Sequence, residues 1–125
     1  MQFEYFAKRR WFDGAGRECT FDEVLNHIEL SSNKEVHIGT DSHALNDKWM
    51  FASAVCIYKQ GKGGRYFFYR ERRSKNIVPS LRARLHKEVE TSIMLGSVIR
   101  DRLGIEGIVI HADTSTDPIN KSFSC

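Results

Sequence analysis

The stretch Glu35-Val36-His37-Ile38-Gly39-Thr40-Asp41-Ser42 decides how the rest of the chain is read. Its β-branched residues predict a short strand running into polar groups, so Asp41 falls at or near the carboxyl end. Two further β-prone runs follow, over residues 49–58 and 65–72, around the glycine-rich turn Lys59-Gln60-Gly61-Lys62-Gly63-Gly64. Such runs around such a turn predict a hairpin. A last run, Gly107-Ile108-Val109-Ile110-His111-Ala112, delivers Asp113 at its end. Between hairpin and last strand, Pro79-Ser80 opens a helix predicted over residues 81–103, and Gly104 closes it as a C-cap. The order β-β-β-α-β implies that the last strand lies parallel beside the first, joined through the helix by a right-handed crossover.

Upstream, Thr20-Phe21-Asp22-Glu23 has the form of a capping box. Val24, Leu25 and Ile28 then give one apolar face to a helix of about ten residues, ended by Ser31-Ser32-Asn33. At 125 residues, the chain reads as one domain with one core, residues 1–125, of the α/β (α+β) class.

The long helix carries the most informative feature. Stepping 100° per residue, Leu81, Leu85, Glu88, Ser92, Leu95 and Ile99 share one face, while Glu90 points about 180° away. A carboxylate turned towards a core is costly unless a charge partner or metal compensates it.

Composition narrows the classes. Hydrophobic residues at 41% and charged residues at 28% are ordinary for a soluble globular protein. The longest apolar stretch is far short of the roughly 20 residues a membrane helix needs, and Lys8-Arg9-Arg10 is not followed by a signal-peptide core. Cys19, Cys56 and Cys125 form no C-x-x-C and suggest neither a disulfide framework nor a zinc site. The cytoplasm is therefore the expected location. The net charge of +3 is unevenly spread: residues 65–87 hold eight cations and one acid, Glu71. A basic stretch beside an acidic one suits a polyanionic partner, and a solvated hairpin and helix face is the plainer alternative. Arg70, Arg72, Arg73, Lys75, Arg82 and Arg84 are the candidates for gripping phosphates. Tyr66, Phe67, Phe68 and Tyr69 could stack on bases, but aromatics in strands are more often core or pairing residues.

Parallel neighbouring strands bring Asp41 and Asp113 together, and the helix can present Glu88 to the same point. Three converging carboxylates repel one another unless cations sit among them. Hard oxygen ligands select magnesium or manganese, and two such ions suit phosphodiester hydrolysis. Taken singly, Asp41 and Asp113 could serve turns, and Glu88 could pair with Arg84. His43, His86 or His111 is a candidate, on position alone, to assist proton transfer.

These residues carry a resemblance. His37-Ile38-Gly39-Thr40-Asp41-Ser42, the helix segment Arg84-Leu85-His86-Lys87-Glu88-Val89-Glu90-Thr91-Ser92, and His111-Ala112-Asp113 with Asp117-Pro118 and Lys121-Ser122 resemble the ribonuclease H-like YkuK family. Phe12-Asp13-Gly14 and the Thr20 segment resemble it too. The resemblance implies a mixed sheet with an acidic two-metal site at Asp41, Glu88 and Asp113. It implies a nuclease acting on RNA, an RNA–DNA hybrid or structured DNA with Mg2+ or Mn2+. Two departures stand out: Ser115 and Thr116 replace the usual asparagine and proline, and Cys125 precedes the final helix, strand and fourth acid of the superfamily. The fold is therefore expected to be truncated before the last helix and strand, with a homodimer as one way to cover the exposed sheet. The alternative function is a catalytically incomplete module that binds nucleic acid or another protein.

Overall fold

The computed structural model describes residues 2–59, 61 and 63–112, so Asp113 and everything after it, with Gln60 and Lys62 of the turn, lie outside the described residues. The elements run α1 (Gln2–Ala7), β1 (Trp11–Asp13), β2 (Glu18–Cys19), α2 (Phe21–Leu30), β3 (Lys34–Ala44), β4 (Lys48–Lys59), β5 (Gly63–Ser74), α3 (Leu81–Leu103) and β6 (Val109–His111). They form one mixed six-stranded sheet in the order β2-β1-β5-β4-β3-β6. The fold class matches the sequence reading: β3, β4 and β5 form an antiparallel meander, and β6 returns parallel to β3.

Local chemistry accounts for the ends of the helices. At α2 the Thr20 hydroxyl accepts from the Glu23 N–H at 3.1 Å, while the Glu23 carboxylate accepts from the Thr20 N–H at 3.0 Å. At α3 the Ser80 hydroxyl accepts from the Ala83 N–H, and Gly104 ends the helix in the left-handed conformation that glycine tolerates best.

Pleating sorts the sheet into two faces. Val36, Ile38, Thr40 and Ser42 of β3 share the inner face with Ile57, Val55, Ser53 and Phe51 of β4 and with Phe67 and Tyr69 of β5. All three helices pack there, with Phe6, Phe21, Val24, Ile28, Leu95 and Ile99 sealed against it. At Gly96 α3 comes so close that an added Cβ would stand 2.8 Å from Ile110 Cδ1. None of the three helices packs on the outer face, where Tyr58 and Tyr66 are 44% and 40% exposed.

Three elements go beyond the sequence reading. Helix α1 and strands β1 and β2 extend the sheet past β5, with Phe12 opposite Phe68 and Asp13 opposite Phe67. Trp11 locks this extension, buried against Phe21 and Tyr69 with its indole N–H donating to the Phe6 carbonyl at 2.9 Å. Glu71 ties α1 to β5, accepting from Tyr5 and pairing with Arg9 at 2.8 Å and Arg73 at 3.0 Å. Two- and three-residue strands show no alternation to read, so only tertiary pairing defines them.

Candidate acidic site

Glu88 is 4% exposed, and it is the buried acid among the described residues. It lies on the face of α3 that packs against β3, as its helical phase predicts, and its carboxylate accepts a hydrogen bond from the Ser42 hydroxyl. Asp41 precedes Ser42, and its Oδ1 accepts from the Ser42 N–H at 2.9 Å. One residue thus donates to both acids: through its hydroxyl to Glu88 and through its backbone to Asp41.

A row of hydroxyls continues from this point into the core. Ser92 on α3, one turn beyond Glu88, donates to Thr40 Oγ1 at 2.8 Å. Thr40 in turn shares a hydrogen bond of 2.9 Å with Ser53. Opposite Ser53, on β5, burial pushes the Tyr69 phenol well above its ordinary value. Thr40, Ser42, Ser53 and Ser92 are all buried, so α3 is keyed to β3 by hydroxyl pairs as well as by apolar contact.

The pairing of β3 with β4 runs without a bulge from Lys34 to Ala44. Side chains therefore alternate, and Asp41 belongs to the outer face while Ser42 and Glu88 meet on the inner one. The expected convergence is thus built around Ser42 rather than on a single face. Asp41 is also not the last residue of its strand, which continues through three more. The parallel register of β3 with β6 runs from His37 opposite Val109 to Gly39 opposite His111. Asp41 and Asp113 each follow that last pair by two residues in sequence; Asp113 itself lies outside the described residues. No cluster of three metal-capable side chains occurs among the described residues.

The six phosphate-gripping candidates divide. Arg70 and Arg72 are exposed on the outer face of β5, and Arg82 lines a cleft of about 420 Å³ with Arg73, His86 and Lys87. Arg73 is also held in the ion pair with Glu71. Lys75 and Arg84 lie 4.9 and 4.6 Å from the Trp49 ring, whose N–H donates to the Val78 carbonyl. The last two therefore anchor the loop before α3. Of the three histidines, His43 and His86 are exposed, and His111 meets His37 at 2.8 Å, with His37 also bonded to Glu35. Sequence reasoning missed Ser42 as the residue that joins the acids, although its alternation with Asp41 was available. No helix among the described residues is long and apolar enough to cross a membrane.

The ribonuclease H-like family model matches residues 20–122, a span that contains Asp41, Glu88 and Asp113 and omits α1, β1 and β2. No curated protein and no solved structure matches the chain. With its sheet order, its long helix across the inner face and a match over most of its length, the chain belongs to the ribonuclease H-like family, the YkuK family that its I-G-T-D-S strand and E-V-x-x-S helix resemble.

Proposed function

We propose that this chain is a divalent-metal-dependent nuclease hydrolysing phosphodiester bonds in nucleic acid, with Asp41, Glu88 and Asp113 as its metal-holding and catalytic acids. The observation that carries this reading is the buried Glu88 carboxylate, fixed by Ser42 beside Asp41. A core position on a helix face is more cheaply filled by an apolar side chain, so a carboxylate there calls for a use beyond packing. The donors fit the group: carboxylate and hydroxyl oxygens are the hard ligands that magnesium and manganese take. When bound, a pair of such ions supplies an activated water and stabilises the leaving oxygen. The chain's own part is to fix the two acids through Ser42 and to hold phosphates with Arg70, Arg72 and Arg82.

Calorimetric titration of Mn2+ or Mg2+ into the folded protein tests the reading, with Asp41→Asn as the control. Binding that this substitution removes, followed by metal-dependent cleavage of labelled RNA, RNA–DNA hybrid or structured DNA, supports it. A folded protein that binds neither ion overturns it.

The placement of Asp41 on the face away from Glu88 favours a second reading, a scaffold that binds nucleic acid without cutting it. Salt-sensitive affinity with no metal-dependent product distinguishes that case.

A further inference from the structure

On the outer face of β5 every second residue is aromatic or cationic: Tyr66, Phe68, Arg70, Arg72. Phe12 on β1 stands opposite Phe68, and the two rings stack with centroids 5.8 Å apart and planes 29° from parallel. Tyr66 also lies near Phe68, at 6.1 Å and 30°. Two guanidinium groups lie over this row, Arg70 at 4.8 Å from the Phe68 ring and Arg10, itself paired with Glu18 at 2.9 Å, at 5.6 Å from the Phe12 ring. The rings are not core: Phe12 and Phe68 are half-buried, Tyr66 is 40% exposed, and the helices pack on the opposite face.

The row shares its face with Asp41. Through β4, Arg70 is in register with Ala52 and Ala52 with Asp41, so Arg70 and Asp41 share one face two strand spacings apart, about 10 Å. Arg72 continues along β5 beyond Arg70. From Tyr66 to Arg72 the strip is about 20 Å long.

We propose that this strip is a platform for single-stranded nucleic acid, with bases stacking on Phe12, Phe68 and Tyr66 and phosphates paired to Arg70 and Arg72, leading the strand past Asp41. The inference rests on the nuclease reading for its direction and narrows the substrate class to unpaired strands. Planar rings flanked by cations match the two faces of an unpaired nucleotide, its base and its phosphate; in a duplex the base faces are occupied by stacking.

The test is fluorescence anisotropy with a labelled twelve-nucleotide single strand and with its duplex, in chelator and without divalent metal. The expected result is affinity about tenfold or more in favour of the single strand. Phe68→Thr, which keeps a strand-forming residue, and Arg70→Gln should each weaken it by about tenfold while the thermal midpoint holds. If Phe68→Thr fails to fold, the comparison of strand with duplex and the Arg70→Gln variant still decide. Equal or tighter duplex binding, unchanged affinity in Arg70→Gln, or equal competition by polyglutamate overturns the platform. So does a stable dimer whose formation excludes the oligonucleotide. Asp41→Asn should keep this metal-free binding, so loss of cleavage with binding intact separates failure of the acids from failure of the platform.

Discussion

Ser42 donates its hydroxyl to the Glu88 carboxylate across the junction of β3 and α3, two buried side chains 46 positions apart in sequence. The contact connects the strand carrying Asp41 to the helix that crosses the inner face. It makes the orientation of the helical acid depend on a strand residue that is not itself a carboxylate.

Ser42→Ala should destabilise the fold by about 1–3 kcal/mol, because a buried carboxylate loses a donor while the backbone bond to Asp41 is untouched. Urea denaturation of Ser42→Ala, Glu88→Gln and the double variant should give a coupling energy of about 1 kcal/mol or more. Additive effects would mean that the two side chains do not support each other.

Gly96 sets how closely α3 approaches the parallel pair β3 and β6. Gly96→Val should cost about 1–3 kcal/mol, since its side chain must displace Ile110 and meet Ile38. Gly96→Ala should be milder, because the nearest atom is the end of a side chain and alanine favours the helix. Thermal melts of the pair should rank them in that order, and the reverse order would contradict the packing described.

Alkaline pH should weaken the fold through Tyr69. Burial raises its phenol above the ordinary value near 10, with Tyr5 raised as well, by burial first and then by Glu71. Below about pH 10 both phenols are neutral in folded and unfolded chains, and stability is full. Above it the unfolded chain releases protons that the folded chain keeps, so stability falls as pH rises towards the raised value. Tyr69→Phe should flatten that decline in denaturation midpoints between pH 9 and 11; an unchanged slope would assign it elsewhere.

The arginines should separate by task. Arg72→Gln or Arg82→Gln should lower nucleic-acid affinity and reduce its salt dependence, with the melting temperature nearly unchanged. Arg84→Gln should lower stability by about 0.5–1 kcal/mol, because its guanidinium lies over Trp49. Loss of affinity without loss of stability in Arg84→Gln would place that side chain on the ligand instead.

Much of this architecture can be read directly from local chemistry. The capping box at Thr20, the serine cap and glycine stop of α3 and the periodicity that buries Glu88 depend on near neighbours in sequence. The parallel pairing of β6 with β3 follows from the order of the elements. What could not be read depends on partners far away: Trp11 becomes core only against Phe21 and Tyr69, and Glu71 becomes an anchor only when Tyr5 and Arg9 reach it. The aromatic run at Tyr66 divides for the same reason, with Phe67 and Tyr69 taking the core and Tyr66 and Phe68 the outer face. Asp41 and Glu88 stand out in the sequence as candidate acids, but that they lie on opposite faces follows from the unbroken register of β3.

That register has a bearing on solubility. Strand β5 spans twelve residues, yet β1 pairs with it only at Phe67 and Phe68, which leaves long stretches of backbone on its outer side where another chain's strand could add. Arg70 and Arg72, exposed along those stretches, would disfavour an added strand that set a second copy's arginines beside them. Neutralising them together would remove this repulsion and leave the protein prone to polymerise through its own sheet.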